Sequence, residues 1–139
     1  MKNKDLIKHL CDRKFGIGSD GLILIERHPE WDFNMVFFNP DGSQSFCGNG
    51  SRCAVAFARE KGIVYDFAKF NSTDGYHEAI IESNGLIKLK MHNVCNIEVG
   101  ELHHYMDTGS PHYNCFEKNI DAIDVVSKGR EIRNNKRFK

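Results

Sequence analysis

The sequence predicts an α+β fold in which a curled, mostly antiparallel sheet surrounds a central apolar helix. Two observations carry this. Cys53, Ala54, Val55, Ala56, Phe57 and Ala58 form a run without a polar residue, too apolar for a helix with one face in water. Several short strand-like segments are punctuated by Asp74-Gly75 and Asn84-Gly85, both hairpin signals. A helix that needs cover on all sides is most economically covered by antiparallel strands curled around it.

The elements follow in order. Residues 4–14 place Leu6, Ile7, Leu10 and Cys11 on one face and charge on the other, an amphipathic helix ending at Gly16. Gly16, Gly18 and Gly21 then make a tight loop before Leu22–Ile25, a continuous apolar run that reads as a buried strand. GIGSDG is not a dinucleotide fingerprint, because that motif runs strand, glycines, helix, and here the glycines lie between helix and strand. Asp20 reads as a turn-stabilising carboxylate. Residues 31–39 are strand-like, with Phe33, Met35 and Phe37 in alternation. The central helix is expected from Arg52 until Gly62 closes it. Strands are then expected over 63–71, 76–82 and 86–91 as a meander, and over 94–99, 102–107 and 113–116, with a short helix inside 121–134.

Composition narrows the function classes. A chain of 139 residues suffices for one domain, or one plus part of another. Nineteen basic and nineteen acidic residues leave no net charge, which argues against nucleic-acid binding driven by phosphate neutralisation. No apolar run approaches the roughly 20 residues that span a bilayer. The amino-terminal MKNKDLIKHL is charged and helix-like, without the apolar centre of a signal peptide. The expectation is a cytoplasmic protein whose five cysteines are reduced thiols.

The chemistry is expected between Asn39 and Gly62, NPDGSQSFCGNGSRCAVAFAREKG. Pro40-Asp41-Gly42-Ser43 is a turn signal, and Gly48, Asn49, Gly50 and Ser51 offer flexible backbone and caps ahead of the helix. Cys47 therefore sits at the mouth of a helix N-terminus. Unpaired N–H groups and the helix dipole favour anions there, so the thiol is pushed toward thiolate and a carboxylate or phosphate could dock beside it. The plainer reading of any free cysteine is buried packing, and it is the one adopted for Cys53, Cys11, Cys95 and Cys115. A metal site from Cys47, Cys53, His103 and His104 is not expected, since their spacings match no common arrangement.

CGNGSRC at 47–53, preceded by NPDGS at 39–43 and FGIGSDGLILIE at 15–26 and followed by TGSPH at 108–112, resembles the first half of diaminopimelate epimerases. The resemblance implies their fold and a cofactor-independent epimerase acting on a small amino acid, LL- to meso-diaminopimelate, in lysine and cell-wall precursor synthesis. It implies Cys47 as one of two acid/base cysteines, Gly48 and Asn49 as N–H donors to the substrate's α-carboxylate, and Asn39 as a substrate hydrogen-bonder. Ser110 stands where many members carry an asparagine that touches substrate, and serine is shorter. His112 reads as a structural hydrogen-bonding residue. Residues 1–93 correspond to the first epimerase-like domain without its usual first strand, and 94–139 to the beginning of an incomplete second domain. The first-strand GxGNDF-type motif, the ER pair and the second cysteine with GTG have no counterpart here. Two classes therefore stay open: an epimerase half, inactive alone, or a non-catalytic binding protein that keeps the carboxylate site. In either case the uncovered apolar surface is expected to make the isolated chain self-associate, as a homo-oligomer, or be marginally stable.

Overall fold

The structure, a computed structural model, describes residues 3–138; Met1 and Lys2 of the charged amino-terminal stretch, and Lys139 of the expected second unit, lie outside them. Helix α1 (Lys4–Cys11) starts where the Asn3 side chain accepts hydrogen bonds from the Asp5 and Leu6 amides. It stops earlier than expected because the Asp12 carboxylate accepts from the Phe15 and Lys14 amides and turns the chain. Those two bonds hold the Asp12 carboxyl below its usual value. Asp20, an exposed carboxylate at the bend before β1, pairs with Arg13 in the turn after α1.

The strands β1 (Leu22–Glu26), β2 (Phe33–Phe38), β3 (Phe67–Ser72), β4 (Gly75–Ile81) and β5 (Ile87–Leu89) form one sheet in sequence order. All neighbours are antiparallel except β2 and β3, which are parallel. A parallel pair needs a crossover connection, and helix α2 (Gly48–Glu60) provides it. The parallel joint is short. Only Phe33↔Phe70 and Asn34↔Asn71 are in register, reinforced by Asn71 Nδ2 donating to Asn34 Oδ1 at 3.0 Å and by the Lys69 amide donating to the Asp32 carboxylate at 2.7 Å.

Helix α2 contacts both edge strands, β1 and β5, as well as β2 and β4; only a curled sheet allows this. The core comprises Phe33, Met35 and Phe37 from β2, Ala54, Val55 and Ala58 from α2, Ala68 and Phe70 from β3, and Ala79 and Ile81 from β4, with Val64 plugging the loop before β3. On the opposite face, Ile7 and Cys11 of α1 cover Phe38; Leu6 instead faces solvent. β1 is half-buried, because it is the edge strand.

Helix α2 departs from expectation in two ways. It begins at Gly48 rather than Arg52, because Cys47 itself caps it. It is also not enclosed all round: the buried stripe is Gly50, Ser51, Ala54, Val55 and Ala58, while Phe57 is 48% exposed and Cys53 faces solvent. The sheet curls past both long edges of the helix without closing over its back. What remains is an apolar groove of about 490 Å³ lined by Ile23, Leu24, Ile25, Cys53, Ala54 and Phe57. The helix ends where Gly62 takes φ +69° and the Ile63 and Gly62 amides return to the Ala58 and Arg59 carbonyls, a Schellman stop. Strand β3 consequently starts at Phe67 rather than Ile63.

A second sheet holds β6 (Ile97–Val99), β7 (His104–Asp107) and β8 (Pro111–Asn114), all antiparallel, followed by helix α3 (Val125–Arg133). Among the described residues no helix is long and apolar enough to cross a membrane.

The one-sided burial of α2 makes a direct prediction. Val55→Ser places a hydroxyl in the packed core and should cost about 2–4 kcal/mol, whereas Phe57→Ser should stay within about 1 kcal/mol. Urea unfolding of the two variants, followed by circular dichroism, checks the contrast; equal losses would restore an enclosed helix.

Candidate active site

Cys47 is the N-cap of α2, with extended backbone (φ −137°, ψ 106°), and its sulfur accepts a hydrogen bond from the Gly50 amide at 3.2 Å. Its carbonyl accepts from the Ser51 amide at 2.8 Å and from the Ser51 hydroxyl at 3.0 Å. Gly50 keeps this contact uncrowded, since a Cβ there would come within 3.3 Å of both the Cys47 sulfur and the Phe37 ring. The Gly48 and Asn49 amides open the helix and have no carbonyl one turn back to satisfy. They point into the region where the helix dipole is positive, and the Arg52 guanidinium, held on the Gly48 carbonyl at 3.1 Å, adds a full positive charge to the same turn.

Around this terminus lies a cleft of about 410 Å³ lined by Phe46, Cys47, Gly48, Asn49, Arg52, Met91, Thr108, Ser110 and His112. It thus brings together Cys47, Gly48, Asn49 and Ser110 from among the residues singled out in the sequence. Cys47 is the only cysteine on that lining. Cys11 is buried on the far face of the sheet, as expected, but Cys53, Cys95 and Cys115 are exposed rather than packed, because the helix back and the second sheet carry no further layer over them.

Asn39 is placed differently from the others. Its amide nitrogen lies 3.1 Å from both the Ser43 and Ser45 hydroxyls, so its donors are spent closing the Asn39–Ser43 turn, and it is not among the cleft-lining residues. The Asp41 carboxylate accepts from the Ser43 hydroxyl at 2.6 Å and the Ser43 amide at 2.8 Å, which holds its carboxyl below the ordinary value, the hydroxyl being the larger cause.

The second sheet supplies the other wall through the β7–β8 turn. Ser110 Oγ donates to the Phe46 carbonyl at 2.8 Å, tying that turn to the residue preceding Cys47. His112 Nδ1 donates to the Ser110 carbonyl at 2.8 Å and lies 3.1 Å from Thr108 Oγ1, the bonding role read from its position in GSPH. Gly109 takes φ +93°, and a Cβ there would lie 2.7 Å from both the Asp74 carboxylate and the Phe46 ring.

One cluster was not anticipated. Asp74, His77 and His92 bring their ligand-type atoms within 4.8 Å of one another, the one such grouping of His, Cys, Asp and Glu among the described residues. The two imidazoles are stacked, 4.4 Å between centroids and 7° between planes. A metal sits in the plane of each imidazole it binds, so two nearly parallel, stacked rings do not converge on one ion. Their hydrogen bonds instead run to protein oxygens: His77 Nε2 to Asp74 Oδ1 at 2.8 Å and His92 Nε2 to the Tyr76 carbonyl at 2.8 Å. His77 could have been flagged in the sequence, since it falls in phase with the inward-facing Ala79 and Ile81. Arg52 carried no signal beyond its place in CGNGSRC.

The Asp41 turn yields a prediction with a definite sign. A carboxylate whose folded value is depressed contributes stability above its unfolded value, and that contribution is lost as pH falls through the folded one. Protection of the Ser43 amide from exchange, relative to its intrinsic rate at each pH, should therefore be present at neutral pH and be lost on the acid side of the ordinary carboxylate range. Asp41→Asn should remove that pH dependence in hydrogen-exchange measurements.

Comparison with known proteins assigns the chain. The family model for diaminopimelate epimerase matches residues 1–96. A diaminopimelate epimerase of Flavobacterium psychrophilum is 46% identical over 95% of this chain and 52% of its own length. That of Aquifex aeolicus is 35% identical over 99% of this chain and 54% of its own. The chain spans about half the length of the curated relatives it matches. Two solved structures share the fold: a phenazine biosynthesis protein of the PhzF family from Bacillus anthracis (TM-score 0.64, 15% identity, 86% of this chain and 48% of that one), and a probable proline racemase from Agrobacterium radiobacter with bound carbonate (TM-score 0.62, 17% identity, 96% and 48%). With its family model spanning 1–96 and such relatives along nearly its whole length, the chain belongs to the diaminopimelate epimerase family.

Proposed function

We propose that residues 1–139 carry one half of a cofactor-independent isomerase that interconverts LL- and meso-diaminopimelate in lysine and cell-wall precursor biosynthesis. The observation that carries this is the Cys47 sulfur capping α2 inside the cleft, next to the unpaired Gly48 and Asn49 amides. Inversion at an α-carbon needs a base on one face and an acid on the other. The Cys47 thiolate takes the α-proton and becomes a thiol; a second thiol opposite delivers its own proton to the resulting carbanion and becomes the thiolate. The Gly48 and Asn49 N–H groups hold the α-carboxylate, and as charge flows into it during proton removal these bonds strengthen, which is where the rate gain arises. The Gly50 amide donates to the sulfur, so the bond that caps the helix also fixes where the sulfur stands in the cleft.

Ser110 frames the substrate from the second sheet, its hydroxyl already donating to Phe46. Asn39 acts by shaping the turn that leads to Cys47, through Ser43 and Ser45; in this reading it reaches substrate only if that turn opens. Residues 1–93 form the first unit and 94–139 the beginning of a second, the second acid/base coming from outside residues 1–139. The partner is a small amino acid in the cytoplasm, with neither nucleic acid nor membrane involved.

The test is conversion of LL- to meso-diaminopimelate, with solvent-deuterium uptake at the α-carbon. Residues 1–139 alone should give no conversion. A carboxy-terminal half taken from a relative, joined or added, should produce turnover, and Cys47→Ser should lower it by about 10²–10⁴-fold, the usual weight of a general acid/base. Robust turnover by residues 1–139 alone would overturn the two-half reading. Turnover unaffected by Cys47→Ser would remove Cys47 from the reaction, and carboxylate binding without proton exchange in the joined protein would make the chain a binding module.

A further inference from the structure

His77 is the most deeply buried histidine, with no exposed side-chain surface, in a place where the strand pattern calls for an apolar residue. Burying an imidazole costs free energy unless its polar atoms are bonded. The bond that offsets this is Nε2–H to Asp74 Oδ1 at 2.8 Å; Nδ1 lies only within 3.4 Å of the Lys90 carbonyl. The Asp74 carboxylate thus fixes the tilt of the His77 ring. On that ring lie Phe46 (4.6 Å, 9°) and His92 (4.4 Å, 7°). Two rings at such distances, both nearly parallel to His77, take one face each, while Phe70 approaches more obliquely at 5.5 Å and 24°.

Phe46 is the residue before Cys47, and its carbonyl receives the Ser110 hydroxyl. The second carboxylate oxygen of Asp74 faces Gly109, where a Cβ would stand 2.7 Å away, and lies 3.9 Å from His92 Nδ1. One hydrogen-bonded pair therefore supports four segments: the β3–β4 turn, the loop into α2, the β7–β8 turn and the chain leaving β5. Three of these, the loop into α2, the β7–β8 turn and the chain leaving β5, line the cleft. The charged neighbours, Glu78 on β4 and Lys90 just past β5, pair with each other at 3.0 Å and do not compete for the pair.

We infer that Asp74 and His77 are positioning residues for Cys47, holding the Phe46 ring and the Gly109–Ser110 turn so that the Cys47 sulfur keeps its capping bond to the Gly50 amide inside the cleft. This rests on the proposed reading of Cys47, and it adds a contact on which that site depends but which itself touches no substrate. His77→Phe keeps a ring of similar breadth and removes the donor. Asp74→Ala removes the acceptor, and Asp74→Asn keeps an oxygen in its place.

The experiment is competitive alkylation of residues 1–139 with limiting iodoacetamide near neutral pH, read by peptide mass as the Cys47 rate relative to Cys115 in the same sample. Histidine 15N spectra of the same proteins report which ring nitrogen of His77 carries the proton. In the unsubstituted chain Cys47 should react ahead of Cys115, with the His77 proton on Nε2. In His77→Phe and Asp74→Ala the Cys47 to Cys115 ratio should fall by about tenfold, the factor one ordinary hydrogen bond carries, and Asp74→Asn should recover most of it. If Cys47 is no faster than Cys115 before any substitution, the reading of Cys47 fails. If Cys47 is faster and remains so in folded His77→Phe and Asp74→Ala, the positioning role is overturned, as it is if melting temperature falls while the ratio stays constant. Should His77→Phe not fold, the two Asp74 variants, altered in a turn, decide the matter in the same way.

Discussion

The structure depends on a difference in side-chain size between its two layers. Helix α2 meets the sheet with Gly50, Ser51, Ala54 and Ala58 around a single Val55, while the sheet answers with Phe33, Met35, Phe37 and Phe70. Small residues on the helix let its axis come close, and large ones on a curved surface fill the space that curvature leaves. Exchanging the two sets would push the helix outward. The N-terminus of α2 would then leave the position at which the Cys47 sulfur accepts from the Gly50 amide. Packing at the centre of the chain and geometry at the cleft are one constraint.

That constraint positions only one wall. The other arrives from residues far along the chain, through Ser110 on Phe46 and Gly109 against Asp74. The join is polar and narrow, so the cleft owes its width to a few directed bonds rather than to a broad apolar contact. Directed bonds suit an open cleft, because they fix distance without excluding water from the whole boundary. The same narrowness explains why a buried polar pair is tolerated under the Phe46 ring: it anchors segments that hydrophobic contact alone would leave free to slide.

Much of this was legible in the sequence where the signal was local. The Gly62 stop, the Asp74-Gly75 and Asn84-Gly85 turns and the order of the strands follow from residues within a few positions of one another, and CGNGSRC set Cys47 at a helix mouth. The misplaced features depend on distant partners. Cys53 and Phe57 read as core because their run is apolar, but which side of a helix is covered depends on how far a sheet curls. The phase of His77 with Ala79 and Ile81 marks it as inward-facing, but its partners in the neighbouring loops, Phe46 and His92, are set only by the folded chain.

The short parallel joint between β2 and β3 bears on how the chain finds its fold. Every other neighbouring pair in the first sheet is joined by a tight connection or a short loop, but Asn34 and Asn71 are 37 residues apart in sequence. Closing a loop of that length costs about 3 kcal/mol of chain entropy, against two registered residue pairs and a few hydrogen bonds. The joint is therefore unprofitable until α2 has docked, since docking brings both strands to the helix and removes most of that entropy in advance. The β1–β2 and β3–β4 hairpins can form early and separately, while their union waits for the helix. A protein assembled in this order sets Cys47, the cap of α2, in place in the same late step that makes the sheet continuous.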